Sequence, residues 1–311
     1  MSRRSFIMLG VAFAVSAAFS WALCQIDPAA AERTSAGSQN DTGRSRETPQ
    51  RVICMSPAIA EMVFAMEQGE RVVGVSQYTT YPPEAQEKPV CGALVNPNTE
   101  RILTLNPDLI IYQGAARDLT EFCSRNDIDL LRVRLTDMES IFDAIKRIGR
   151  ALGSEAAAEV LCAEMRLELA RVRRAVADQP PKKVLLVTGR EPATLNGLNT
   201  AGGGTFLNDL IETAGGRNVF GDLTRSYTPV SKEAVIRRKP DVVVELQGEG
   251  MIDPDTVSRI RDLWSSLSSL PAVRNDRVYV IENTYALIPG PRVVRLARRL
   301  ARLLHPEAFK E

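Results

Sequence analysis

Asn98-Thr99-Glu100-Arg101-Ile102-Leu103-Thr104-Leu105-Asn106-Pro107-Asp108-Leu109-Ile110-Ile111 reads as a cap, a short helix, a Pro-Asp turn and a buried strand. The same reading fits Val230-Ser231-Lys232-Glu233-Ala234-Val235-Ile236-Arg237-Arg238-Lys239-Pro240-Asp241-Val242-Val243-Val244. The offset stays constant, from Glu100 to Glu233 and from Pro107 to Pro240. Asn98 and Ser231 each offer a side-chain oxygen to the orphan amides of a first helical turn. The glutamate two residues on sits where the helix dipole favours negative charge. The proline ends each helix, because the residue before it is pushed out of the α region. The unbroken aliphatic run that follows is the pattern of a strand covered on both faces. One repeat at long spacing predicts two similar lobes, not a solenoid, which needs many short periods.

A chain of 311 residues is long for one core, so two domains are expected. The net charge of +1 gives no basic domain of the kind that nucleic-acid binding needs. The single histidine, His305, argues against a His-rich metal site and against His-based acid–base catalysis. No Gly-x-Ser-x-Gly elbow, P-loop or C-x-x-C spacing occurs. Gly202-Gly203-Gly204 reads as a tight turn with Thr205 capping the next helix.

Residues 1–31 read as an export signal. Arg3 and Arg4 form its charged end, Phe6 to Leu23 its apolar run, and Ala29-Ala30-Ala31 its cleavage residues. Ser2-Arg3-Arg4-Ser5-Phe6-Ile7 fits the twin-arginine pattern, and a general secretory signal fits as well. The apolar run is also nearly long enough to remain as a membrane anchor. Leu23, before Cys24, is larger than the residue that lipid-anchor sites use. Residues 32–50 read as a flexible linker, rich in Ser, Thr, Gly and charge.

Strands alternate with helices from Arg51 onward, which predicts α/β lobes with parallel sheets. The N-terminal lobe is placed at 51–153 and the C-terminal lobe at 180–311. Between them 154–179 holds no Gly and ends on Gln179-Pro180-Pro181. It reads as one long helix joining the lobes, ended by its prolines. Pairing of Cys54 with Cys91 is open, and so is a pair of buried free thiols.

Ligands bind at the carboxyl ends of strands in open α/β sheets. Ser56 and Pro57, Tyr78 and Tyr112 follow such ends in the first lobe. Arg190, Tyr227 and Tyr285 hold comparable places in the second. Aromatic rings with polar edges suit a flat organic ligand, and Arg190 would face an anionic group on it.

Arg51-Val-Ile-Cys-Met-Ser-Pro-Ala-Ile-Ala-Glu61, Val73-Gly-Val-Ser-Gln-Tyr-Thr-Thr-Tyr-Pro-Pro83 and the two copies of the repeat carry a resemblance. Taken together, they resemble the class III periplasmic substrate-binding proteins of ABC importers, over about Arg51 to Leu304. This branch serves cobalamin, ferric siderophores and haem, and the likeness is greatest to its vitamin B12 receptors. The resemblance implies two α/β lobes on a rigid helix, a metal chelate as transported ligand between them, and no cofactor or catalysis. It also implies that Glu100 and Glu233 pair with arginines of the membrane permease. Leu94, Thr284 and Ile288 stand where the vitamin B12 receptors place aromatic and charged groups. The alternative is an exported α/β enzyme or ligand sensor on the same scaffold.

Overall fold

The computed structural model describes residues 48–248 and 254–309. The export signal and most of the linker lie outside them. The chain divides into two compact units. The N-terminal unit takes the described residues through Leu167, with Pro289–Pro291. The C-terminal unit takes Glu168–Ile288 and the chain from Arg292 on.

The N-terminal unit is built on four parallel strands: β1 (Val52–Cys54), β2 (Val72–Val75), β5 (Leu109–Gln113) and β6 (Asp129–Val133). Their order is β2-β1-β5-β6. A two-stranded hairpin, β3 (Gly92–Ala93) with β4 (Asn96–Pro97), precedes the first repeat helix. Ile53, Ile110 and Tyr112 of the sheet pack with Ile102, Leu119 and Cys123 of the helices into one core. Each buried aliphatic side chain there contributes roughly 1.5–3 kcal/mol.

The C-terminal unit has a mixed sheet. Its parallel part is β7 (Lys182–Gly189), β9 (Gly216–Asn218), β11 (Val242–Gln247) and β12 (Val278–Glu282). Two antiparallel strands, β8 (Leu198–Ala201) and β10 (Tyr227–Val230), extend it beyond β7. The parallel strands expected of this unit are present, and two antiparallel strands are added at one edge. Both added strands are only four residues long, and β10 contains Pro229. Proline cannot donate to a ladder and is tolerated on an edge strand, which is where β10 lies.

The Glu155–Ala175 helix is unbroken over 21 residues. Ala158, Cys162 and Met165 are buried on the N-terminal unit's side of the division, and Leu169, Val172 and Val176 on the other. Among the described residues no helix is long and apolar enough to cross a membrane.

Cys54, Cys91, Cys123 and Cys162 are buried free thiols. Cys54 pairs in register with Val75, and Val75 bridges to Val90, so a whole strand separates Cys54 from Cys91. Two strand spacings are about 9.5 Å, beyond the ~7 Å that a disulfide spans between Cα atoms. The Cys91 sulfur rests over Gly74, where an added Cβ would lie 2.5 Å from it. Burial pushes the Cys91 thiol up to about 11 despite the nearby Arg101.

Candidate functional site: two strand edges and two capped helices

The repeat forms the same module in both units. The Thr99–Leu105 helix is capped by Asn98, whose side chain accepts from the Arg101 amide at 2.9 Å. The Lys232–Arg238 helix is capped by Ser231, which accepts from the Ala234 amide at 3.2 Å. Each helix ends on a left-handed residue, Asn106 at φ 45° and Lys239 at φ 48°. The aspartate of each Pro-Asp turn then reaches across to the first strand of its sheet. Asp108 accepts from the Gln50 amide at 2.7 Å, and Asp241 from the Lys183 amide at 2.9 Å. Both pairs are 58 residues apart. The repeat therefore includes a tertiary clamp that the linear pattern did not reveal.

Glu100 and Glu233 occupy the first turns of these helices and are exposed. The Glu233 carboxylate is held below the usual glutamate range. Its own backbone amide is the main cause, helped by the Ser231 hydroxyl and by Lys232 and Arg237. A hollow of about 350 Å³ lies beside this helix, lined among others by Phe220, Leu223, Pro229, Ala234 and Arg237. None of the expected ligand residues lines it.

At the carboxyl edge of the N-terminal unit's sheet, the expected residues fall into two groups. Ser56 is buried and commits its oxygen to the Ile59 amide at 3.3 Å, capping the Pro57–Ala65 helix. Pro57 takes the first helical position, where its missing N–H costs nothing. Tyr112 is also buried, with its ring in the core rather than in a loop. Only Tyr78 is half-buried, in the loop after β2. Beside Tyr112, Gln113 ends β5. Its Oε1 is buried and accepts no hydrogen bond from any described residue.

The C-terminal unit's edge is dominated by a buried ion pair. Arg190 donates through Nε to Glu245 at 3.0 Å, with both side chains nearly inaccessible. Glu245 also accepts from Trp264 Nε1 at 3.0 Å and from Gln247 Nε2 at 2.5 Å. Arg190 Nη1 donates to the carbonyls of Glu191 and Thr194, folding the loop after β7. The expectation that Arg190 answers an anion on the ligand must be corrected to this extent: its charge already faces a buried carboxylate. Glu245 interrupts the aliphatic run of β11, and that interruption was the available signal for it.

Tyr227 opens β10, opposite Ala201 of β8, and burial pushes its phenol well above the usual tyrosine range. Tyr285 lies in the turn after β12, with the Arg292 guanidinium 5.7 Å from its ring centroid. Asn199 of β8 lies opposite Gly189, at the end of β7. Its Oδ1 is the second buried acceptor at a strand edge without a partner among the described residues. Gln113 and Asn199 went unremarked in the sequence because a single amide at a strand end looks like any solvated polar residue. No three His, Cys, Asp or Glu side chains among the described residues cluster as a metal would require.

Each of the two α/β units pairs its sheet with a capped helix that presents an exposed acid. Residues 52–285 match the family model described as periplasmic binding protein. The chain belongs to that family. A cobalamin-binding protein of Halobacterium salinarum is 31% identical over 263 residues, 83% of this chain and 70% of that protein. A vitamin B12-binding protein of Salmonella typhi is 30% identical over 257 residues, 82% of this chain and 90% of that one. Among solved structures, the periplasmic heme-binding protein RhuT of Roseiflexus superposes with a TM-score of 0.69 at 26% identity. It covers 83% of this chain and 99% of that one.

Proposed function

We propose that this protein is the extracytoplasmic receptor of an ABC importer, which captures a metal chelate and delivers it to a membrane permease without chemically changing it. Relatives named for cobalamin, vitamin B12 and heme support that ligand class. A relative named as an ABC transporter substrate-binding lipoprotein, 26% identical, supports the importer. Tyr78 in the N-terminal unit and Tyr285 in the C-terminal unit follow carboxyl strand ends and offer aromatic faces to a ligand, and Tyr227 opens β10. In this reading 51–153 and 180–311 act as lobes, with the helix of 154–179 as their connector. An N-terminal signal carries the chain out of the cytoplasm.

The observation that carries the reading is the duplicated module. Two units use one local code to hold an exposed glutamate at the start of a helix. Paired surface carboxylates set orientation and encounter rate with a basic partner. The test is an uptake assay with the Glu100→Ala/Glu233→Ala double variant. Chelate affinity stays at the wild-type value while uptake falls by at least tenfold. Wild-type uptake by that variant would remove the docking role.

A further inference from the structure

Large hydrophobic side chains left in water are few in this protein. Among the described residues they are Val90, Val95, Leu103, Val160, Leu167 and Ile236. Single scattered cases are ordinary on any surface and need no account. Leu103 and Ile236 are different, because they share one register position of the repeat. Their offset equals that from Glu100 to Glu233. Leu103 is 48% exposed and Ile236 37%. Neither supplies its helix's core contact, which comes from the buried residue before it, Ile102 or Val235. Within the two helices three matched positions are exposed in both copies. One has diverged, to Thr104 and Arg237, as a solvated position can. The other two hold a glutamate and an aliphatic residue in both copies. Residues three apart are neighbours on a helix surface. Each helix therefore presents a carboxylate with an aliphatic side chain one turn further on.

We infer that Leu103 and Ile236 are the apolar anchors of two docking contacts with the membrane permease. Each anchor fits an apolar surface that lies beside a basic side chain of the partner. The exposed carboxylate next to each aliphatic is what calls for that cation. The inference rests on the docking role proposed above for Glu100 and Glu233, and it adds what charges alone do not supply. Charged pairs at a rim speed encounter and set orientation. Apolar area removed from water slows departure. Each contact belongs to one unit and is complete within it.

The experiment measures binding of the purified protein to its importer's permease in lipid nanodiscs by surface plasmon resonance. Leu103→Ser and Ile236→Ser each weaken binding about three- to tenfold, the worth of covering a half-exposed aliphatic side chain. The loss falls on the dissociation rate, and the salt dependence of association stays as in the wild type. Glu100→Ala and Glu233→Ala instead slow association and flatten its salt dependence. Leu103→Met and Ile236→Leu keep wild-type binding, because they keep the apolar area. Val160→Ser, at an exposed aliphatic outside the repeat, keeps it too. A wild-type dissociation rate in either serine variant overturns the inference. If the glutamate variants still lose association in that case, the docking role of the acids stands without it. Serine variants that lose only a self-associated form in sedimentation, and bind the permease normally, assign the aliphatics to a second copy of the chain and overturn it as well. Binding that none of these four serine and alanine variants alters removes the docking role itself.

Discussion

Glu245 is the residue with the most at stake. Its carboxylate is fully buried and answers three donors, one of them the buried Arg190. Removing one partner of a buried pair strands the other charge, at a cost of roughly 3–5 kcal/mol. Glu245→Ala should therefore lower the urea midpoint by that equivalent. The double variant Arg190→Met/Glu245→Leu should recover most of the loss, since an apolar pair needs no counter-charge. At the surface, Glu233 gives a pH-dependent readout. Its folded pKa is depressed, so its favourable contribution is present at neutral pH and is lost only as pH falls through that lowered value. Ser231→Ala removes one of the donors that hold it down. A carboxyl-carbon NMR titration should then show Glu233 moving up toward the ordinary range. The same variant should cost about 1 kcal/mol of stability through the lost cap.

At the scale of elements, the repeat was legible because its signals are local: cap, acid, proline, aliphatic run. The left-handed residues that close both helices follow from the same code, and they are not equally suited to it. Asn106 tolerates positive φ, whereas Lys239 adopts φ 48° without a side chain that helps. Lys239→Gly should raise stability by about 0.5–1 kcal/mol, and Lys239→Val should lower it, read from thermal melts. What the sequence hid was pairing at a distance. Leu198–Ala201 and Tyr227–Val230 are too short and too interrupted by polar residues to show an alternating period, yet they pair across the intervening residues 202–226. The candidate site divided in the same way. Tyr78 and Tyr285 lie in the turns after β2 and β12, and Tyr227 opens β10. Ser56 and Tyr112 were drawn into a cap and a core, because cap geometry and strand register decide where such side chains go.

For the whole molecule, the two units repeat more than a helix and a strand. Each also repeats the aspartate that ties its turn to the first strand of its sheet. Asp241→Ala should cost about 0.5–1.5 kcal/mol in chemical denaturation, one hydrogen bond's worth, and Asp108→Ala should cost more, because Asp108 accepts from the amides of both Gln50 and Arg51.

The four described thiols have a consequence of a different kind. Each is reduced and buried, and a full strand keeps Cys54 from reaching Cys91. Dithiothreitol should leave the melting temperature unmoved. The described fold closes without an oxidant, so reducing and oxidising surroundings leave it the same architecture.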